Sequence, residues 1–221
     1  MKDSKKSLKE QKLIQAAEIV FNKVGFTNAK MEDIAAEAGI TKVTLYSYFQ
    51  SKENLQLAVT HKALQLLIDK YYSTLRENKE KTGLEGTMSI FKLFIDFSEK
   101  NFLYSEALLN YFAMIRSTGY GDNKEKLTEG IRESVYFRKL QDIQNLPFKL
   151  TVQEIERGKN DGSIRDDLDP MMVTLAAWAA SIGYIKVVSA SANNLKPLFN
   201  VDLEQLKKLQ LKSANELLRK V

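Results

Sequence analysis

The chain has no cysteine, one histidine, one tryptophan and three prolines in 221 residues. Without cysteine there is no disulfide, no thiolate metal ligand and no cysteine nucleophile, and the composition suits a reducing interior. The lone histidine, His61, leaves a histidine-dependent triad without its other members and excludes a multi-histidine metal site within one subunit. It falls beside Lys62 and reads as an ordinary surface or interface residue, with a near-neutral pKa that leaves pH sensing open. No glycine-rich phosphate loop occurs. Ser89-Ile90-Phe91-Lys92 fits Ser-x-x-Lys but lacks the motifs that accompany it in β-lactamases. Asp166, Asp167 and Asp169 are explained more simply by a solvated turn and a helix cap than by a bound cation. Neither catalysis, a metal nor a cofactor is expected. Long hydrophobic runs are also scarce: Met171 to Ile185 is uncharged but shorter than the ~20 residues of a membrane span, and contains Thr174, Ser181 and Gly183. It reads as a buried helix, with no membrane association. Met1 to Lys12 is basic and polar with no apolar stretch after it, so no secretory leader and a cytoplasmic location are expected.

With so few prolines, and an interior rich in Leu, Ala, Lys, Glu and Gln, the chain is expected to be all-α. Its length allows a small domain and a larger one, and 44% hydrophobic residues suffice to fill their cores. The net charge of +5 is unevenly spread, since Lys2, Lys5, Lys6, Lys9 and Lys12 are opposed near the N-terminus only by Asp3 and Glu10. Two readings of residues 1–8 stand: a basic arm for phosphate contact, or a solvated tail.

The most informative stretch runs from Asp33 to Phe49. Ile34, Ala38, Ile40 and Leu45 are spaced to line the inner faces of two short helices, and Ala35 is small where they meet. Gly39 falls at the turn, and Thr41 is a good N-cap for the second helix. That helix presents Lys42, Thr44, Tyr46 and Tyr48 as a polar face. The pattern is a helix-turn-helix, which places its second helix in the DNA major groove.

Ala16-Ala17, Phe21, Gly25, Asp33-Ile34-Ala35, Ala38-Gly39, Thr44-Leu45-Tyr46, Phe49 and Ser51-Lys52-Glu53-Asn54-Leu55 together resemble the DNA-binding domain of the TetR family of bacterial transcriptional regulators, over roughly residues 9–69. One departure is Ala29-Lys30-Met31 before the first helix of the motif, where the family usually has Thr or Ser. Thr27 or Asn28 would take that place with a shifted start, or Lys30 would meet phosphate by charge. The resemblance implies a homodimer that binds a double-stranded DNA operator through Thr41, Lys42, Val43, Thr44, Tyr46, Tyr48 and Lys52, with Lys30 in support. By family position Tyr46 and Lys52 meet phosphate, while Lys42, Thr44 and Tyr48 reach base edges or the thymine methyl.

Ahead of this motif, Leu13, Ile14, Ala17, Val20, Phe21 and Val24 predict an amphipathic helix over 8–24, closed by Gly25. A long helix is expected from Ser51 to about Asn78, a stiff lever into a C-terminal domain over 70–221. Further helices are expected at 84–100, 103–117, 123–158 with a break at Pro147, 170–192 and 203–220. Phe94, Tyr111, Phe112, Tyr136 and Trp178 are the candidates to line a pocket for a small apolar or amphipathic effector. The last two helices match the four-helix dimer interface of TetR-like proteins, with Leu175, Ala176, Ala179, Ala180, Gly183, Leu206 and Leu217 as candidates; the alternative is an ordinary intramolecular core. The function expected is a ligand-responsive repressor released from a palindromic operator. The other reading is a TetR-like protein-interaction module that does not depend on DNA.

Overall fold

The computed structural model describes the backbone of residues 2–117, 127–190 and 200–220, and their side chains apart from 2–6, 116 and 117. Among the described residues there are helices and one isolated bridge, Ile164 to Arg219, as expected of an all-α chain. The helices are α1 (Lys2–Asn28), α2 (Met31–Glu37), α3 (Lys42–Tyr48), α4 (Lys52–Glu77), α5 (Gly83–Lys100), α6 (Phe102–Ser117), α7 (Glu129–Arg132), α8 (Val135–Ile143), α9 (Leu146–Asn160), α10 (Pro170–Ala190) and α11 (Leu203–Leu218). The gap expected between the helices at 103–117 and 123–158 lies outside the described residues.

Contacts divide the chain into two units, Met1–Gln65 with Leu103–Gln144, and Leu66–Phe102 with Asn145–Val221. The cut expected near residue 69 is therefore supplemented by a second: residues 103–144, expected with the C-terminal domain, pack with the N-terminal helices. Helix α4 contributes to both units.

The first unit is built on a continuous core. Leu13, Ala17 and Phe21 of α1, Ile34 and Ala35 of α2, Leu45 of α3, Phe49, and Leu55, Ala58 and Val59 of α4 are all buried together, with Leu103 and Ala107 of α6. Gly25 departs from helical geometry (φ 76°, ψ 165°), which kinks α1 where its closure is expected. Polar side chains fasten 102–143 to the N-terminal helices. Tyr104 Oη donates to Glu18 Oε1 (2.8 Å) and Tyr136 Oη to Glu10 Oε1 (2.9 Å). Ser134 donates to Asn54 Oδ1, and Asn54 Nδ2 donates to the Gly130 carbonyl (3.2 Å). The helix expected over 123–158 with a break at Pro147 is three helices over its described part, α7, α8 and α9. Ser134 caps a fresh start at α8, accepting from the Phe137 amide, and Pro147 sits in the first turn of α9, where it needs no amide hydrogen.

In the second unit α5 lies against α9. Thr82 and Glu85 form a reciprocal capping box at the start of α5. Gly83 meets the backbone of Gly158, so closely that a Cβ on Gly83 would overlap Gly158 N and Cα. Arg157 adds donors to the carbonyls of Lys81 (2.7 Å) and Thr82 (3.2 Å). Asp169 Oδ1 accepts from the Met172 amide (2.7 Å), the N-terminal cap expected for α10. Lys207 of α11 reaches Glu99 of α5 (2.8 Å) and Asp96 (3.4 Å).

Helix α10 differs from its sequence reading in two ways. It runs 21 residues, long and apolar enough by itself to cross a membrane, and only 28% of its most apolar window is buried. Val173, Thr174, Ser181, Tyr184 and Ile185 are buried, while Met172, Leu175, Ala176, Ala179, Ala180 and Gly183 are exposed. Within one chain it is thus covered on one side only.

Candidate nucleic-acid interface

The recognition helix is fixed from beneath. Leu45, fully buried, anchors the middle of α3, and Phe49, its C-cap, inserts into the first-unit core and stacks on Tyr136 (ring centroids 6.2 Å, interplanar angle 24°). Gly39 adopts φ 66°, the left-handed conformation that lets the chain leave α2 and turn back within a few residues. Thr41 Oγ1 then accepts from the Thr44 amide (3.2 Å) and shares a hydrogen bond with the Thr44 hydroxyl (2.9 Å). These contacts pre-set the first turn of α3.

Above this base, Thr41, Lys42, Val43, Thr44 and Tyr46 are exposed, Val43 most of all at 80%. An apolar side chain so open to water at the start of a short helix is suited to a thymine methyl. Lys42 Nζ is ion-paired to Glu32 of α2 and lies 5.7 Å from the centroid of the Tyr46 ring. Hydrogen bonding to Lys42 holds the Glu32 carboxyl below its ordinary pKa, and the same bond raises that of Lys42. Tyr48 is half-buried and packs against the first-unit core, unlike its exposed neighbours.

Lys30 is exposed at the N-cap of α2 and its side chain makes no cap hydrogen bond, the gap foreseen from Ala29-Lys30-Met31. Asn28 turns back to the Val24 carbonyl (3.1 Å). Lys52 is committed in part to its own chain: Nζ donates to the carbonyls of Thr27 (2.9 Å) and Ala29 (3.1 Å), at the end of α1. Two of its three ammonium hydrogens are used there, and one is left for another acceptor. Sequence reasoning had no access to these bonds, which join residues 25 and 23 positions apart. Nor did it single out Glu32, whose role depends on the angle between α2 and α3; an acid and a base flanking the turn was the available signal.

The residues expected around an effector are divided. Tyr111, Phe112 and Tyr136 belong to the first unit, where Tyr111 Oη donates to Gln144 (2.9 Å) and Tyr136 is engaged with Phe49 and Glu10. Phe94 and Trp178 belong to the second: Phe94 packs against the buried cluster of Ile95, Tyr184 and Ile185, and Trp178 meets Phe148 edge-on (5.8 Å). Of the residues expected at a dimer interface, Leu175, Ala176, Ala179, Ala180 and Gly183 lie exposed on α10 and Leu217 on α11, while Leu206 is half-buried. An apolar groove of about 270 Å3 opens between α5, α10 and α11, bordered by Ala176, Ala180 and Leu217, with Ser181, Gln210 and Ser213 as its polar lining.

A family profile described as bacterial regulatory proteins, tetR family, matches residues 13–59, the core of α1 through the first part of α4. The chain is similar to the HTH-type transcriptional regulator RutR of Escherichia coli, 38% identical over 60 residues, which are 27% of this chain and 28% of RutR. It thus spans little more than a quarter of the length of that relative. Over nearly its whole length the fold is like that of a TetR transcription regulator from Haloarcula marismortui (TM-score 0.69, 17% identity, covering 96% of this chain and 100% of that one). It is also like that of FadR from Bacillus subtilis in complex with stearoyl-CoA (TM-score 0.66, 16% identity, covering 94% and 98%). Residues 13–59, with the spaced motif of α1 to α4 and its exposed recognition helix, thus match the DNA-binding module of the tetR family of bacterial regulatory proteins, and the chain as a whole shares the fold of TetR-type structures.

Proposed function

We propose that the protein is a homodimeric, ligand-responsive transcriptional repressor of the cytoplasm that leaves a palindromic DNA operator when a small apolar or amphipathic effector binds. The observation that carries this reading is the recognition helix itself: Leu45 and Phe49 are locked into the core while Lys42, Val43, Thr44 and Tyr46 point outward. A helix needed only for packing has no use for that face. Thr41, Lys42, Val43, Thr44, Tyr46, Tyr48 and Lys52 are the proposed DNA contacts, with Lys30 beside them.

The exposed apolar side of α10, with Leu217 of α11, supports a dimer in which each protomer covers the other's α10 and fills its groove. Two α3 helices related by a two-fold axis then meet two half-sites, which is why the operator is expected to be palindromic. The aromatic side chains of Phe94 and Trp178 in the second unit remain the candidates for effector contact, while Tyr111, Phe112 and Tyr136 belong to the first. That FadR is described with stearoyl-CoA, an amphipathic acyl compound, favours the same class here. Helix α4 contributes to both units, so a shift of its second half is carried to Lys52 and the start of the helix. Effector and operator then weaken each other reciprocally.

The test uses the single tryptophan. Titration with an apolar effector should change Trp178 emission and lower operator affinity by about 5–150-fold, both saturating at one concentration. A library of apolar compounds whose members stabilise the protein thermally yet leave its operator affinity unchanged would contradict effector control, because such ligands bind both states equally.

A further inference from the structure

Glu32 stands in the first turn of α2 and Lys42 opens α3, and the fold brings them into contact across the turn on the outer face of the motif. Both side chains remain half open to solvent, at 55% and 50%. An ammonium already matched by a carboxylate releases few counterions, so this pair adds little to sequence-independent phosphate binding. What it offers instead is a hydrogen-bond donor and an acceptor side by side, on the face that carries Val43, Thr44 and Tyr46.

That pattern has a counterpart in the major groove. In a G·C pair the guanine O6 acceptor and the cytosine N4 donor are hydrogen-bonded to each other, so they too lie about 2.9 Å apart. Each keeps free capacity toward the groove. Resting on the DNA-binding reading above, we infer that Glu32 and Lys42 act as one composite reader of a base pair, Lys42 donating to a keto base and Glu32 accepting from the amino base opposite. Glu32 is thereby a specificity-determining residue.

Chemistry also sets the order of preference. G·C with guanine toward Lys42 fits best, because guanine N7 adds a second acceptor for the ammonium hydrogens left after the Glu32 bond. T·A with thymine toward Lys42 offers the same keto and amino groups, but without N7 and with a methyl group crowding O4. C·G and A·T place an amino donor against Lys42 and a keto acceptor against the Glu32 carboxylate, a double mismatch that adenine N7 alone does not offset, so both are disfavoured. The Glu32 side chain is an ionised carboxylate at neutral pH and so acts as an acceptor only.

The experiment is enrichment of duplexes randomised across a half-site, with the full chain as wild type, Glu32→Ala and Lys42→Met, at one salt concentration. For the wild type, one position should rank G·C, then T·A, then A·T and C·G, with about tenfold or more between first and last. Both variants should flatten that same position and leave the others. Glu32→Ala should also steepen the salt dependence by about one unit per protomer, as the freed Lys42 turns to phosphate. A Glu32→Ala profile identical to wild type, or variants that disturb different positions, would overturn the composite reader while leaving DNA binding intact. A wild-type protein that enriches no sequence would overturn the DNA-binding reading itself, and the pair's role with it.

Discussion

Replacing Lys52 by methionine separates two roles of one side chain, the cap on α1 that its hydrogen bonds form and the phosphate contact proposed above. Methionine keeps much of the apolar stem and removes the ammonium that bridges the Thr27 and Ala29 carbonyls. These carbonyls end α1, where no further turn of helix supplies donors, so their bonds to Lys52 act as a C-terminal cap. A hydrogen bond to a charged group contributes about 1.5–3 kcal/mol when well shielded. Lys52 is only half-buried, and solvent competes for the same carbonyls, so the two bonds together should be worth about 1–2 kcal/mol. For a chain of this size that is a fall in Tm of about 2–8 °C if melting is cooperative. The remaining ammonium hydrogen is free for phosphate, so Lys52→Met should also make the salt dependence of DNA binding shallower by about one unit per protomer. Thermal or urea melts read the first effect, and operator titrations across a salt series read the second. A variant that melts with the wild type would refute the capping role, and an unchanged salt slope would refute the phosphate contact; the two results are independent.

Burial pulls the pKa of His61 below its ordinary value of 6.5, helped by Lys139, so the unfolded chain binds a proton more readily than the folded one. Stability should therefore fall as the pH drops from about 6.5 through the folded pKa, and the gap between urea midpoints at about pH 8 and about pH 5 should narrow in His61→Gln; an unchanged gap would remove His61 as its source. Ala180→Glu introduces a carboxylate that is solvated in one chain but unpaired in a dimer, at a cost of several kcal/mol, so sedimentation should find a monomer of normal helix content. A dimer that survives the substitution would move the interface elsewhere. Gly83→Ala must force α5 away from the Gly158 backbone and should lower unfolding stability by about 1–3 kcal/mol; a neutral result would deny that close crossing.

Local signals carried the reading motif. The spacing of Ile34, Ala35 and Leu45, Gly39 at the turn and Thr41 at the cap are all short-range, and each sits as its chemistry requires. Pro147 marked the break between α8 and α9 for the same reason. What escaped the sequence depends on partners far along the chain. The break before Ser134 has no proline or glycine at its cap to announce it, and the packing of 103–144 with the N-terminal helices rests on Leu103, Ala107, Tyr104 and Tyr136 finding partners some 80 to 130 positions away. Tyr136 illustrates the limit: composition marks it as a pocket aromatic, whereas its ring supports Phe49 at the end of the recognition helix. Helix α10 poses the converse case, since an apolar surface read from sequence does not say whether its own chain or another covers it.

The central claim, that α3 reads DNA, is tested most directly by fluorescence anisotropy of labelled duplexes from the DNA flanking the protein's own coding region, against a scrambled duplex of equal length. The account predicts saturable binding of two protomers to one such duplex, with a Kd of about 10⁻⁸–10⁻¹¹ M at physiological salt and an advantage of about 10³ or more over the scrambled sequence. Equal, weak and steeply salt-dependent binding to both duplexes, across every flanking segment, would contradict it.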